Sequence, residues 1–244
     1  MGDEDKVKIL VCGDVDGKFK TLFSRVSSIN QKNGPFHFLL CVGDFFGASS
    51  DYWIPYKNGT IKVPIPVYLL GPNKSDHVGL YPVGDECELA PNVTYLGKRG
   101  VLTSSGLKIS YLSGRDNGES KNTSGHTFNE SEVVTTRDIA LRTSAQFTGV
   151  DVLLTSEWPD GISTNDPHAP GTLPKGSSKI SWLACQTKPR YHFCGLENVY
   201  YERPPYVNHG ENNCHSTRFI ALGRVGNSDK QRYNSLSISG LLTV

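Results

Sequence analysis

The chain has 244 residues, of which 37% are hydrophobic and 20% charged, enough for one well-buried core or at most two small ones. Its 25 lysines and arginines nearly balance its 24 acidic residues, and a net charge of +1 argues against a strongly basic nucleic-acid-binding domain. No apolar run reaches the ~18 residues that span a bilayer, so we predict no membrane partner.

The first part of the chain predicts a strand, a helix and a second strand. The apolar run Val7–Cys12 indicates a buried strand that ends at Gly13-Asp14. Apolar residues at helical spacing over residues 19–29 predict an amphipathic helix that ends before Asn33. Residues 36–42 form a second buried strand, again followed by Gly-Asp, at positions 43–44. This order predicts a right-handed parallel crossover.

The rest of the chain predicts further strands, two helices and two polar loops. The loops cover residues 114–130, expected to be mobile, and residues 160–178. The helices cover residues 131–147 and 179–186, and the strands cover residues 67–70, 93–96, 107–112, 150–155, 191–194, 199–201, 218–222 and 236–238. Without repeats or a low-complexity linker, we expect one α/β domain over residues 1–244, with its core in residues 7–239.

The six cysteines are spread along the chain without a Cys-x-x-Cys pair, and four lie in or beside apolar runs. This favours buried free thiols over a disulfide or zinc framework and fits a reducing compartment, the cytosol or the nucleus. The six are Cys12, Cys41, Cys87, Cys185, Cys194 and Cys214.

Polar residues follow the predicted strands, at the edge where open α/β sheets bind ligands. Asp14, Asp16 and Asp44 could converge there, and converging carboxylates repel unless a cation neutralises them. Paired metals held by such groups hydrolyse phosphoesters. A single Gly-Asp after a strand is ordinary turn chemistry, but the ordered recurrence of Gly-Asp, Gly-Asp and Gly-x-Asn is not. It favours an α/β calcineurin-like metallophosphoesterase sandwich, with mixed β-sheets flanked by helices.

Longer segments carry a family resemblance. They are CGDVDGKF at 12–19, LCVGDFFG at 40–47, LLTSEWP at 153–159, KPRYHF at 188–193, YYERPPY at 200–206 and TRFIAL at 217–222. With these segments the sequence resembles the metallophosphoesterase domain of RNA lariat debranching enzyme. It is closer still to the N-terminal metallophosphoesterase-like domain of the Cwf-nineteen-like family, splicing-associated relatives of that enzyme.

The departures from the active pattern all replace histidines. Asp16 stands where the first motif of an active member has a histidine, and Lys74 replaces the proton-donating histidine of the third motif. Ser156 stands at the metal-binding histidine of the fourth motif, and Leu196 and Asn198 stand at the two histidines of the fifth. Imidazole is a preferred ligand of zinc and iron. The resemblance therefore implies a pseudoenzyme without catalytic residues.

The remaining oxygen donors are Asp14, Asp44 and Asn73, with Asp16 as an extra oxygen. They make a poor two-metal site, so no cofactor is expected, although one Mg²⁺ or Mn²⁺ could bind weakly. Lys74 either neutralises the three carboxylates in place of a metal or is a solvated loop lysine. We expect a vestigial site, called the strand-end site below, made of Asp14, Asp16, Asp44, Asn73, Lys74, Ser156, Glu157, Leu196 and Asn198.

The resemblance implies a role in intron-lariat turnover and pre-mRNA splicing. The fold would act as an interaction module that assists the lariat debranching enzyme and associates with late spliceosomal proteins in the nucleus, and direct RNA binding stays open. Family members continue into a histidine-triad-like domain and a further C-terminal domain, which we expect this chain to lack, as a truncated form or a short isoform. The alternative is a weak metal-dependent phosphodiesterase with an oxygen-only site. A nucleotide-binding domain ranks last because G-x-G-x-x-G and P-loop motifs are missing.

Overall fold

The computed structural model describes residues 7–84, 86–208, 215–226 and 234–238. The strands are β1 (Val7–Cys12), β2 (Phe38–Cys41), β3 (Val67–Leu69), β4 (Cys87–Ala90), β5 (Val93–Tyr95), β6 (Arg99–Ser104), β7 (Leu107–Leu112), β8 (Arg115–Asp116), β9 (Thr127–Phe128), β10 (Val152–Thr155), β11 (Tyr191–Cys194), β12 (Tyr201–Glu202), β13 (Tyr206–Val207), β14 (Ser216–Ala221) and β15 (Asn234–Ile238). The helices are α1 (Phe19–Asn33), α2 (Ile54–Lys57), α3 (Glu130–Leu141) and α4 (Ser178–Thr187), with 3-10 turns at Asp51–Trp53 and Ser75–Leu80.

Two mixed sheets form the centre of the fold. The first has the order β15-β1-β2-β3-β5-β4, in which β1, β2, β3 and β5 run parallel and both edge strands run antiparallel. The second has the order β12-β14-β11-β10-β7-β6, with a parallel centre formed by β14, β11, β10 and β7. The strand β13 pairs with β14. The predicted parallel crossover from β1 through α1 to β2 is confirmed.

Alternation along the buried strands divides the core into layers. Ile9 and Val11 of β1 belong to an apolar cluster that also contains Ile109 and Val152 of the second sheet, so this cluster lies between the sheets. Leu10 faces the other way and packs with residues of α1. On the outer face of the second sheet, α3 and α4 cover a third cluster. The architecture is therefore a helix–sheet–sheet–helix sandwich.

Capping and amphipathicity account for the helices. Helix α1 buries Phe19, Leu22, Phe23 and Val26 along one stripe, which is the predicted spacing. The Asn129 side chain caps α3 by accepting from the Glu132 N–H, and Ser177 caps α4 in the same way. The three helices longer than one turn thus begin and end within a few residues of the predicted bounds, apart from the end of α3.

Three local predictions need correction. Helix α3 ends at Leu141 rather than at residue 147, because Thr143 bonds back to the Ala140 carbonyl and closes the last turn. The loop at 114–130 is not free of structure, since β8 pairs with β9 and Phe128 is fully buried. The sequence prediction missed β6, which forms a hairpin with β7 through a turn with positive φ at Ser105 and Gly106.

The cysteines within the described residues are free thiols, but not all of them are buried. Cys12, Cys41 and Cys194 are buried free thiols, as predicted, and the Sγ atoms of Cys12 and Cys41 lie 3.4 Å apart. Cys87 is half-buried and Cys185 is exposed, while Cys214 lies outside the described residues. Among the helices of the described ranges, none has the length and apolar content needed to cross a bilayer.

Candidate functional site

The two central sheets approach each other closely at the carboxyl ends of their strands. A methyl group on Gly13, after β1, would lie 2.6 Å from the Gly223 carbonyl oxygen, after β14. A methyl group on Gly195, after β11, would lie 3.1 Å from the Val42 carbonyl oxygen, after β2. Glycines at these points therefore let the strand ends of both sheets meet. The strand-end site lies at this meeting point.

Asp14 joins the two sheets. Its Oδ1 accepts a hydrogen bond of 2.7 Å from the backbone N–H of Asp44, after β2. Its Oδ2 accepts one of 2.9 Å from the backbone N–H of Leu196, after β11 in the other sheet. The side chain is almost completely buried, with the whole residue 2% exposed. Asp14 therefore has a structural role that needs no metal, because it satisfies two backbone donors at the sheet junction.

Gly43 makes room for this carboxylate. Its φ of +84° is in the left-handed region, which residues other than glycine rarely adopt. A methyl group at this position would lie 2.3 Å from Asp14 Oδ1 and 3.2 Å from the Leu196 nitrogen. The glycine of this Gly-Asp pair is thus required both by the turn and by the buried acid beside it.

Asp44 is held by an amide on one oxygen and an ammonium on the other. Asn73 Nδ2 donates to Asp44 Oδ1 at 3.3 Å, and Lys74 Nζ lies 2.7 Å from Asp44 Oδ2. The side chain of Asp44 is 8% exposed and that of Lys74 is 47% exposed. The hydrogen bond to Asp44 raises the pKa of Lys74 above its usual range. The ammonium therefore contacts the acidic cluster and does not point away into bulk water.

The cluster carries excess negative charge in spite of this lysine. Burial raises the pKa of Asp14 from 3.8 to about 6, and repulsion from Asp44 and Asp16 acts in the same direction. The two backbone hydrogen bonds oppose the shift by stabilising the charged form. Asp14 therefore takes up a proton at a pH about one unit below neutral, and this protonation removes one negative charge from the cluster.

Asp16 turns towards a residue that the sequence prediction missed. Its φ is +54°, and its Oδ2 lies 3.0 Å from Nε of Arg224. The backbone N–H of Arg224 donates to Asn198 Oδ1 at 3.0 Å. Arg224 thereby links two members of the strand-end site. Its position shortly after the predicted strand at 218–222 is the signal that could have identified it, since the other site residues also follow strands.

Ser156 and Glu157 form the opposite flank. Ser156 is fully buried, and its carbonyl accepts from the Gly195 N–H at 3.2 Å. Glu157 accepts from the Asp116 N–H at 2.8 Å, and burial raises the pKa of Glu157 above its usual range. The missed residue here is Arg115, whose guanidinium lies 3.8 Å from Glu157 Oε1 and 3.7 Å from Glu197 Oε1. Its position shortly after the predicted strand at 107–112 is the signal that could have identified it.

These residues do not fit a two-metal centre. Two metals bridged by Asp44 would need imidazole or carboxylate ligands around them, and the corresponding positions hold Lys74, Ser156, Leu196 and Asn198. The Lys74 ammonium already neutralises one oxygen of Asp44. Within the described ranges, no three His, Cys, Asp or Glu side chains form a group that could hold a metal ion.

Comparisons with known proteins agree with the resemblance seen in the sequence. The chain is 48% identical over 234 residues to CWF19-like protein 1 of Pongo abelii and, over the same length, to that of Homo sapiens. Each alignment covers 93% of this chain and 43% of the relative, so the chain spans less than half the length of these curated relatives. No family profile matches the chain.

The fold has counterparts among solved structures. The crystal structure of TT1561 of Thermus thermophilus superposes with a TM-score of 0.57 over 90% of each chain, at 10% identity. An identity this low shows the fold alone. The predicted fold class, an α/β sandwich of mixed sheets flanked by helices, is confirmed.

Proposed function

From this similarity to CWF19-like protein 1 and the geometry of the strand-end site, we propose that the chain is a non-catalytic metallophosphoesterase-like domain of the Cwf-nineteen-like family. It acts as an interaction module in intron-lariat turnover and pre-mRNA splicing, in the nucleus, where it assists the lariat debranching enzyme among late spliceosomal proteins. The 48% identity supports the family, although it covers less than half of the relatives. The splicing role rests on the family resemblance.

One contact carries the non-catalytic part of the proposal. The Lys74 ammonium lies 2.7 Å from the carboxylate of Asp44, which would bridge two metals in an active member of the fold. A metal ion bound to Asp44 would be repelled by the Lys74 ammonium, which lies at hydrogen-bonding distance from the same carboxylate. Asp14 has a structural role in addition, because it joins the sheets through two backbone N–H groups, and Lys74 balances the charge of Asp44.

A second candidate function has a specific observation in its favour. The Oδ1 atom of Asn73 is buried and has no hydrogen-bond partner in the described part of the chain. Amide and carboxylate oxygens suit Mg²⁺ and Mn²⁺. A weak phosphodiesterase with a single metal on Asp14, Asp44 and Asn73 would use this oxygen, provided that Lys74 moved aside.

Metal analysis with an activity assay separates the two candidates. We expect the purified chain to contain no stoichiometric metal and to show no Mn²⁺-dependent phosphodiesterase turnover above that of its Asp44→Ala variant. Stoichiometric metal together with turnover that Asp44→Ala abolishes would establish the enzyme instead. Because both preparations pass through the same purification, a contaminating phosphodiesterase would appear equally in each.

The interaction role is tested by co-precipitation. We expect the immobilised 244-residue chain to retain purified lariat debranching enzyme in at least one of two conditions, with branched RNA or without it. A linear RNA of the same composition is the control for the branch. Failure to retain the enzyme with or without branched RNA would reject the assisting role and leave the metal assay unaffected.

The contact between Lys74 and Asp44 predicts that the stability of a Lys74 variant depends on Mn²⁺. Replacing Lys74 with alanine leaves the buried Asp44 carboxylate without its ammonium, and we expect the free energy of unfolding to fall by about 1 kcal/mol, since the half-exposed lysine is partly screened by water. Millimolar Mn²⁺ should restore stability in this variant through binding to the native state and should leave the wild type unchanged.

Urea denaturation with and without Mn²⁺ measures this effect. Lys74→Arg keeps a cation and should behave as the wild type, and Lys175→Ala removes an exposed lysine elsewhere. An equal Mn²⁺ response in the wild type and in Lys74→Ala would show that the lysine does not exclude the metal.

A further inference from the structure

A groove lies between α1 and the segment of residues 51–62. Its volume is about 710 Å³. Residues 17–27 form one wall, and the turn, α2 and the chain that follows α2 form the other. Gly17, which lines the groove, directly follows Asp16 of the strand-end site. The groove therefore shares a segment of chain with that site.

Packed aromatic rings form the floor of the groove. Phe19, Phe23 and Tyr56 line it and are buried. The Phe19 and Phe23 rings lie 5.9 Å and 5.1 Å from that of Tyr56, and Trp53 packs behind them, 5.0 Å from Phe19. Rings held by several neighbours keep their rotamers, so the groove is formed before any ligand arrives and little order is lost on binding.

The upper walls expose apolar groups that no described residue covers. Tyr52 is 71% exposed and Ile61 is 45% exposed, and both line the groove. Ile54, two residues after Tyr52 in the chain, is 52% exposed but does not line the groove. Single exposed apolar side chains are ordinary, but two on the wall of one preformed groove are typical of an interaction surface.

The charges around the groove have one dominant sign. The lining includes Lys18, Lys20 and Lys62 against a single acid, Asp51, whose carboxylate is bonded to the Ser49 hydroxyl. The ammonium of Lys18 donates to the Val225 carbonyl. The groove is therefore cationic in a chain of net charge +1, and Lys20 and Lys62 are exposed on its opposite walls.

We propose that this groove binds an acidic, amphipathic segment of a partner protein. Apolar side chains of that segment would pack against the exposed Tyr52 and Ile61, and its carboxylates would meet Lys20 and Lys62. Single-stranded RNA fits less well, because bases need exposed rings to stack on and Tyr52 is the only exposed aromatic side chain in the lining. An amphipathic helix that lays its apolar face into a hydrophobic groove is a recurring mode of peptide recognition. This inference does not depend on the function proposed above.

Selection from random libraries tests the proposal even though the partner is unidentified. A displayed library of random peptides of about 15 residues, four helical turns, is selected on the immobilised 244-residue chain. We expect the enriched sequences to combine apolar and acidic residues. A peptide from this set should bind the Lys20→Glu/Lys62→Glu double variant about tenfold more weakly by fluorescence anisotropy, and its affinity for the wild type should fall with added salt.

The controls separate the groove from general charge and from RNA. Lys121→Glu/Lys175→Glu makes the same charge change at two exposed lysines outside the groove and should bind as the wild type. Ile61→Ser tests the apolar wall without changing charge and should also weaken binding. No acidic enrichment, or equal losses in both double variants, would overturn the proposal. The proposal would also be overturned in favour of RNA if the chain selected no peptides but enriched a random single-stranded RNA library, and if that enrichment required Lys20 and Lys62.

Discussion

Gly43→Ala is expected to lower the free energy of unfolding by about 3 kcal/mol. The left-handed backbone at this position costs a residue with a Cβ about 1 kcal/mol or more. The added methyl group would also lie 2.3 Å from Asp14 Oδ1, and that carboxylate cannot retreat while it accepts from the Asp44 and Leu196 nitrogens. Overpacking against a fixed buried group adds roughly 1–3 kcal/mol.

Gly106→Ala is the matched control for this substitution. Gly106, in the turn between β6 and β7, has a φ of +77°, and an added methyl group there meets nothing within 4 Å. It should therefore show the backbone cost alone, about 1 kcal/mol. Urea denaturation of the two variants isolates the contact with Asp14. Equal losses in both would mean that the carboxylate moves freely and does not hold the sheets together.

The second large effect concerns acid stability and His192. This histidine is fully buried in β11, and burial lowers its pKa from 6.5 to about 3. Its Nε2 lies 2.8 Å from Thr155 Oγ1, and its Nδ1 has no hydrogen-bond partner in the described ranges. Below pH 6.5 this histidine takes up a proton in the unfolded chain but stays neutral in the folded one. The contribution of the neutral ring to folding stability is therefore complete above pH 6.5 and is lost at about 1.4 kcal/mol per pH unit as the pH falls towards 3.

His192→Gln removes this titration and keeps a polar group near Thr155. We expect the difference in free energy of unfolding between variant and wild type to shift in favour of the variant by about 2 kcal/mol between pH 7 and pH 5. The raised pKa of Asp14 acts in the opposite sense below about 6, but it is common to both proteins and cancels in the difference. His168→Gln, at an exposed position, should follow the wild-type curve. A pH-independent difference for His192→Gln would show that this ring takes up a proton as readily in the native state as in the unfolded chain.

The parts of the fold that were predictable are those in which one local pattern decides the structure. The apolar run Val7–Cys12 and the helical stripe of α1 predicted two elements and their crossover, because burial on a sheet and burial on a helix have different periods. Strand β6 was missed because only one of its six residues is buried, so it has no apolar pattern. Its pairing with β7 holds it in the sheet. The end of α3 depends on one threonine hydroxyl, which no periodicity reveals.

The site was predictable to the extent that strand ends mark it. That rule brought out Asp14, Asp44 and Asn73, and the structure links Asp14 to Asp44 and Asp44 to Asn73 by hydrogen bonds. It could not give the position of a long side chain, so the sequence alone left open whether Lys74 meets Asp44 or water. The partners Arg115 and Arg224 also follow predicted strands, but the tertiary structure is needed to show which acids they meet.

The antiparallel pairing of β15 with β1 has a mechanical consequence. Val7 pairs with Ile238 and Val11 with Asn234, so the outer ends of the two strands lie side by side at one edge of the sheet. A force that pulls residues 7 and 238 apart would load the ladder one rung at a time, as a zipper opens, and not across all rungs together. Stretching from these two points should therefore peel β15 away at low force before the parallel centre of the sheet yields.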